Sequence, residues 1–445
     1  MRSSDTIFAL SSGRLPSGVA LVRISGPSAR AAAQALAGTV PAPRHATYTI
    51  LRAPPTGEAL DRGLVLFFEG PRSATGEDLL ELHLHGGRAV VAAVLSTLSG
   101  LDGFRPAQPG EFTRRAHANG KMDLAEVEGL GDLIAAESEA QRRQALAQAS
   151  GVLSRRVSGW RARLIRALAL VEATIDFSDE DDVPEDLTGP ALLETGLLRE
   201  ELAAALADSA RGEMVRDGLS IAIAGPPNAG KSTLLNRLAG REAAIVSHRP
   251  GTTRDLLEVH LELAGQAVTL IDTAGLRETD DEVEAEGIRR ARARAASADL
   301  VVWLSEEGAP PPPELAHALA VRTKIDQAEE GPSAPCDATT MLAISAATGQ
   351  GIDELIALIE ARAAELGGGE PALITRERQR LALKDALAHL DRALARADGG
   401  GEGLLAEDLL AEDLRLAARA LDALVGRVDM EDVLDALFRT FCIGK

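Results

Sequence analysis

The chain has 445 residues, 45% of them hydrophobic, enough to bury two or three separate cores. Its 47 basic and 67 acidic residues give a net charge of −20, which argues against a broadly basic nucleic-acid binder, and aromatics at 2% exclude base stacking as the main route to RNA. Cys336 and Cys442 supply no disulfide framework and point to a reducing cytoplasm, no apolar run reaches the ~18 residues that span a bilayer, and Met1 to Thr6 show no signal-peptide pattern. Up to about residue 118, the pattern predicts strands at Val19–Ile24, Gly63–Phe68 and Leu79–Leu84 among helices such as Ser28–Ala37 and Ala89–Leu98, an α+β domain. His83 and His85 alternate on one strand without a third ligand nearby, so they are expected to be structural.

From Met122 to roughly Arg216 the chain is Ala/Leu-rich with helical periodicity. Charge is segregated within it. Arg142, Arg143, Arg155, Arg156, Arg161, Arg163 and Arg166 share residues 141–170 with no Asp or Glu, and an acidic stretch follows from Glu172 to Asp186. Such a block either offers a phosphate-binding face or pairs with acids within the chain. Leu219 to Ala224 then reads as a buried strand, residues 225–232 as Gly-Pro-Pro-Asn-Ala-Gly-Lys-Ser, and Thr233 to Leu238 as a helix. That strand–loop–helix context makes the motif a phosphate loop rather than a chance Gly-rich turn. Gly225 and Gly230 let backbone N–H groups of Asn228, Ala229 and Gly230 face a polyphosphate; Lys231 adds charge, Ser232 can ligate Mg²⁺, and Thr233 continues the loop into the helix.

Further motifs name the base. Val268 to Gly275 is an apolar strand running into Asp-x-x-Gly: Asp272 would hold Mg²⁺ through water, Thr273 and Ala274 line the turn, and the Gly275 N–H would sense the γ-phosphate. Ahead of it, Gly251-Thr-Thr-Arg-Asp255 places Thr253 to complete the metal shell. In Thr323-Lys324-Ile-Asp326, Asp326 would accept the guanine N1 and N2 protons, and Ser345 and Ala346 would support O6. Five short motifs in this order specify GTP over ATP. Thr323 stands where an Asn is usual, so an amide that contacts the base and braces the phosphate loop is expected to be lost. Leu276 occupies the place of a water-orienting Gln, so another group must orient the attacking water; the carboxylate-rich stretch 278–284 could supply it. The Asn228 side chain could hold a monovalent cation against the phosphates, with main-chain carbonyls of the 247–252 loop completing the shell. Pro310 to Pro313 leave little room for a helix between Leu304 and Arg322, so one sheet crossover should be abbreviated.

These segments together resemble the MnmE (TrmE) family of tRNA-modifying GTPases. The resemblance rests on Asn228 to Thr233, Arg241 to Val246, Gly251 to Asp255 and Asp272 to Arg277 in the centre. It extends to Gly18 to Gly26, Thr75 to Glu81 with His85 to Gly87, Pro109 to Arg115, Asn119 to Leu124 and the closing Phe441-Cys-Ile-Gly-Lys445. The family fold implies a multidomain α/β and α protein. An N-terminal α+β folate-binding and dimerisation domain (1–118) precedes a discontinuous helical domain (119–217 and 368–445) that holds an inserted Ras-like P-loop GTPase domain (218–367). By resemblance, the chain is a homodimeric, K⁺-activated GTPase that, with an FAD- and NADH-dependent partner of the GidA (MnmG) type in a heterotetramer or larger complex, modifies C5 of the wobble uridine of certain tRNAs. GTP is the substrate, with Mg²⁺, K⁺ and a 5-formyl-tetrahydrofolate-type one-carbon donor as cofactors. Position by position, Arg23, Glu81, Lys121 and Lys445 are the implied folate contacts, and Cys442 marks the modification motif. Ser232 and Thr253 hold Mg²⁺; Asn228, Ser247, Arg249 and Thr252 hold K⁺; and Glu284 orients water, with Asn228 and Lys231 as its catalytic companions. Ser247, His248, Arg249, Pro250, Gly251 and Thr252 complete the nucleotide loop. Pro250 has no N–H, but ligands given through carbonyls survive, and His117-Ala118 beside Lys121 departs from a more apolar pair. The rival reading is a ribosome-assembly GTPase, a binding switch that would use residues 218–366 and leave the two ends unexplained. No anchor or polybasic tail supports a membrane-surface GTPase.

Overall fold

A computed structural model describes residues 5–54, 56–176, 187–240, 244–245, 258–272, 298–327, 341–398, 404–426 and 437–444. The chain divides into two compact units. One comprises Met1–Gly131, Ala149–Ala169 and Leu414–Lys445; the other comprises Asp132–Gln148 and Leu170–Asp413.

The first unit is built on a six-stranded sheet in the order β3-β4-β5-β2-β1-β6, with β1 Thr6–Leu10, β2 Ser17–Ser25, β3 Thr47–Arg52, β4 Ala59–Phe68, β5 Leu79–Gly86 and β6 Phe104–Pro106. All pairs are antiparallel except β1 with β6. Residues alternate along β2, so Ala20, Val22 and Ile24 turn into the core while Val19, Leu21 and Arg23 face the other way. The buried face is covered by α1 (Ala29–Ala37) and α2 (Arg88–Ser99), whose Ala32, Leu36, Val94 and Leu98 are almost wholly enclosed. Helix α1 stops at Gly38, which takes the left-handed φ of 72° and donates its N–H to the Gln34 carbonyl. On the opposite face α3 (Glu111–Ala118) covers only one end, through Phe112 against Ile7, Ala9 and Leu79. The remainder of that face stays open, with Val19, Tyr48 and Leu64 at 59%, 67% and 39% exposure. The chain's end lies along the same unit: Ile443 bridges Pro109, and the Ser11 hydroxyl donates to the Gly444 carbonyl at 2.8 Å. Only glycine fits at 444, since its φ is 100° and a Cβ there would meet the Leu10 carbonyl at 2.4 Å.

The helical segments are α4 (Leu124–Ala135), α5 (Glu139–Ala149), α6 (Val152–Asp176), α7 (Thr188–Ala207) and α8 (Ser209–Asp217), then α10 (Ile352–Gly367), α11 (Glu377–Asp398) and α12 (Leu404–Leu424). The two helical stretches flanking the central module touch. Helix α7 packs along α11, and Arg199 pairs with Asp391 at 2.9 Å.

Between them lies a seven-stranded sheet in the order β13-β12-β11-β7-β10-β9-β8. Its strands are β7 Leu219–Ala224, β8 Ala244–Ile245, β9 Glu258–Leu263, β10 Gln266–Asp272, β11 Leu300–Ser305, β12 Leu319–Arg322 and β13 Leu342–Ala343, with α9 at Lys231–Ala239. Strands β7, β10, β11, β12 and β13 run parallel; β9 and β8 add on antiparallel. Doubly covered parallel strands read as continuous apolar runs, as Leu219 to Ala224 does. The crossover from β11 to β12 contains only a 3₁₀ turn at Pro313–Leu315, the abbreviation that the proline run predicted.

The module's entry and exit are pinned to one helix. Side-chain amides of α5 reach backbone carbonyls: Gln141 to Arg216, Gln144 to Gly212, and Gln148 to both Ala372 and Leu373, at 2.9–3.1 Å. From α8, Arg211 donates to the Gly368 and Glu370 carbonyls and Arg216 to that of Thr375. The hairpin joining β9 and β10 also meets α5, where the Ala140 N–H takes the Gly265 carbonyl at 2.9 Å.

Candidate nucleotide site

Strand β7 delivers the chain to Gly225 at the sheet's carboxyl end, the position where open α/β sheets bind ligands. Gly225 has a φ of 151°, and a Cβ there would lie 2.3 Å from the Leu304 carbonyl, so the loop passes β11 closer than any side chain allows. Asn228 adopts the left-handed φ of 63°, and Gly230 follows at 93°. Helix α9 then begins at Lys231, presenting its amino-terminal N–H groups to the loop's concavity. Lys231 is 7% exposed, and its ammonium donates to the carbonyls of Gly225 and Pro226 at 2.9 and 2.8 Å. The ammonium is thus fixed against the loop's own backbone. Ser232, Thr233 and Asn228 are exposed at its rim, while Ala229 is buried.

The base-side segments converge on the same loop. Thr323, 4% exposed at the end of β12, donates its hydroxyl to the Ala229 carbonyl at 2.8 Å. The brace expected to disappear with the missing Asn is therefore supplied by a shorter side chain; what Thr323 does not bring is the side-chain amide. Lys324 takes a positive φ of 56° and pairs with Glu306 at 2.7 Å, which leaves Asp326 exposed in the next 3₁₀ turn. Ser345 is fully buried, its hydroxyl accepting the Thr348 N–H, and Ala346 follows it. Sequence reasoning missed Arg237. From α9 its guanidinium donates to the carbonyls of Ala346, Ala347 and Thr348, tying the loop that would carry the guanine O6 contact to the phosphate-loop helix. Asp272 closes β10 opposite Ile223, beside the loop's entry strand. Ser247, His248, Arg249, Pro250, Gly251, Thr252, Thr253, Thr273, Ala274, Gly275, Glu284 and Lys445 lie outside the described residues.

In the first unit, Arg23 on β2 and Glu81 on β5 sit opposite each other on the open face. They are joined by two hydrogen bonds of 3.0 and 3.1 Å. The Nε2 of His83, next on that face, is buried without a hydrogen-bond partner, 3.7 Å from Glu81. His85 is instead engaged by Asp61 at 2.8 Å, and no group of three or more metal-ligating side chains occurs among the described residues. Lys121 is exposed in the turn after α3, which the Asn119 amide ties to the Thr75 carbonyl at 2.7 Å. Beneath these loops Arg115, 7% exposed, pairs with Asp5, Glu77 and Glu111, and Arg105 with Asp5 and Glu111. Burial pushes the Glu111 carboxyl up, but hydrogen bonds from Arg105, the Gln108 N–H and Arg115 outweigh it and hold the group below its ordinary range; Asp5 is lowered in the same way. The Thr75 and Pro109 motif blocks therefore build a buried ionic scaffold. Cys442 is exposed.

A parallel sheet with an antiparallel edge, a glycine-shaped phosphate loop at the carboxyl end of its central strand, and guanine-type segments braced onto that loop define a P-loop GTPase. The family models match in two blocks: "MnmE helical domain" over residues 124–442 and "GTP-binding protein TrmE N-terminus" over residues 6–121. The chain belongs to the MnmE (TrmE) family. It is 72% identical over 445 residues to a protein of Azorhizobium caulinodans named tRNA modification GTPase MnmE, with 100% of both chains covered. It is 55% identical over 446 residues to the like-named protein of Bradyrhizobium sp. (strain ORS 278), with 99% of each covered. Among solved structures, Aquifex aeolicus Era bound to GDP·AlF₄⁻ aligns at 26% identity over 38% of this chain and 66% of that one, with a TM-score of 0.26. No described helix is long and apolar enough to cross a membrane.

Proposed function

We propose that the chain hydrolyses GTP to drive modification of the wobble uridine (U34) of certain tRNAs, adding an aminomethyl or carboxymethylaminomethyl group at C5 together with an FAD-dependent partner of the GidA (MnmG) type. One observation carries this reading. A formed phosphate loop is joined, in one chain, to terminal domains matched end to end by relatives named tRNA modification GTPases. A ribosome-assembly switch would leave residues 6–121 without a use. A cytoplasmic location accords with that role.

The domain limits proposed are 1–118, 119–217 with 368–445, and 218–367. At the nucleotide, Lys231 would hold the β- and γ-phosphates, and Asp326 would select guanine through a bidentate contact that adenine cannot make. Ser232 and Thr253 would hold Mg²⁺. Asn228, with carbonyls of Ser247, Arg249 and Thr252, would hold K⁺. When bound, these cations neutralise charge that develops on the transferring phosphoryl group. The left-handed, exposed Asn228 fits an outward-facing oxygen donor at the loop's rim. Glu284 would orient the attacking water in place of the Gln that Leu276 displaces. Arg23, Glu81, Lys121 and Lys445 would receive the folate. The solitary buried Nε2 of His83 beside Glu81 is a polar atom such a ligand would satisfy. Dimerisation would cover the open sheet face around Val19, Tyr48 and Leu64. The deciding experiment is nucleoside analysis of wobble positions in a deletion strain. The modified uridine should vanish and return with the wild-type chain; an unchanged profile overturns the proposal.

A further inference from the structure

We infer that the solvent face of α6 binds the phosphate backbone of tRNA, through Arg155, Arg156 and Arg166. The inference rests on the proposed tRNA reading and gives that substrate a place on the chain. Its basis is the seven-arginine block. The structure sorts its members into those already paired within the fold and those left over.

Arg142 is engaged by Glu139 at 2.7 Å, Arg143 approaches the same carboxylate at 3.9 Å, and Arg161 pairs with Asp422 at 3.0 Å. Arg163 also has an interaction of its own. Three remain. Arg166 is exposed with no ion-pair partner among the described residues. Arg156 is exposed and makes a cation–π contact, its guanidinium 5.9 Å from the Trp160 ring centroid, which orients it without neutralising it. Arg155 is exposed and anchored by a 2.7 Å hydrogen bond to the Ser150 carbonyl. Its charge reaches the Glu126 carboxyl, but burial dominates there and holds that group above its ordinary value.

Helix geometry collects them. Leu153, Val157, Trp160, Leu164, Ala167 and Val171 are at most 2% exposed and set the buried side of α6. Arg155 and Arg166 are eleven residues apart, three helical turns, so they lie on the opposite side about 16 Å from one another, with Arg156 on its flank. Between them stand Gly159, with open space where a Cβ would be, and Ala162. The helix carries no acid from Val152 to Val171. Small residues between guanidinium groups leave the backbone approachable to a bulky polyanion. The exposed large apolar residues of α6, Val152 and Ile165, stand at its first position and to the side of the row. No large apolar anchor of the kind a protein partner's interface core needs therefore lies between the guanidinium groups. In a chain of net charge −20, most of the surface repels RNA, so an isolated cationic row also fixes which side of the molecule the RNA meets.

The test uses the full-length chain, alone and with its FAD-dependent partner, and fluorescently labelled unfractionated tRNA titrated by anisotropy between 50 and 200 mM KCl. Three phosphate contacts contribute about 2–2.7 to the slope of log K against log salt, so roughly 20- to 40-fold of the wild-type loss in affinity over that range should disappear in Arg155→Gln/Arg156→Gln/Arg166→Gln. The corresponding triple Lys variant should keep the wild-type slope. GTP hydrolysis by both should match wild type, which establishes that they fold. An unchanged slope in the Gln variant overturns the inference. So does weakened binding of the protein partner with RNA affinity intact, which would make the face a protein dock. A wild-type chain that binds no tRNA in either setting overturns the tRNA reading itself, and the inference with it.

Discussion

Thr323→Val removes one hydroxyl at almost constant volume from the brace between β12 and the phosphate loop. The hydroxyl donates to the Ala229 carbonyl at 2.8 Å, with both residues no more than 4% exposed, so water cannot step in as donor. An orphaned buried carbonyl costs about 1–3 kcal/mol. The Thr323 N–H stays on the Ser305 carbonyl, so the segment itself keeps its place. The loss divides between two readouts. Whatever strain the empty loop cannot relax appears as lower stability, and whatever it can relax is paid again on ordering around the nucleotide. Titration with a fluorescent guanine nucleotide and a urea unfolding curve should together account for it, with affinity falling by up to about 150-fold if the loop relaxes fully. Thr323→Ser, which keeps the donor, should stay close to wild type. Thr323→Asn should tighten binding by about 1 kcal/mol, the scale of one added hydrogen bond to the base. Unchanged affinity and an unchanged midpoint in Thr323→Val would refute the brace.

GTP hydrolysis should rise steeply with K⁺ and hardly with Na⁺, and Asn228→Ala should abolish the difference; equal rates in both salts would remove Asn228 from its cation role. Asp326→Asn should move preference toward xanthine nucleotides, read by competition binding, since it exchanges an acceptor for a donor at the base edge. Glu284→Ala should lower turnover while leaving GTP affinity nearly intact, a split that single-turnover and equilibrium measurements separate. Asp5 and Glu111 titrate below their ordinary values of 3.8 and 4.5 in the folded chain, so their contribution to stability is complete above those values and is lost as pH falls through the lower, folded ones. Thermal unfolding should show a drop below about pH 4 that is blunted in Arg115→Gln, which removes a cation both carboxylates share.

The phosphate loop was legible because its physics is local. Gly225, Gly230 and Lys231 act within eight residues, and an apolar strand announces the approach. The proline run likewise foretold the shortened crossover. Strands β1 and β3 escaped notice: Thr6–Leu10 is short, and in Thr47–Arg52 only Leu51 is buried, so the alternation is faint. Arg237 could not be read at all, since its three carbonyl partners lie 109 to 111 residues downstream and carbonyls carry no sequence signature. The blocks around Thr75 and Pro109 were legible as family marks. Their chemistry was not, because Asp5 and Glu77 reach the Glu111–Arg115 pair of α3 only through the tertiary fold. The arginine block lay between two readings in the sequence, and the structure divided it, pairing Arg142, Arg143 and Arg161 with acids, engaging Arg163, and leaving three outward.

The stitching of α5 to both chain crossings has a mechanical consequence. A module tethered by two slack cords can wobble without its host noticing. Here each cord is sewn to the same rod by glutamine amides, and the tip of the β9–β10 hairpin rests on that rod's first turn. A displacement of the sheet where β10 ends at Asp272 therefore has no loose joint in which to dissipate, and a twist of the sheet must turn α5 with it.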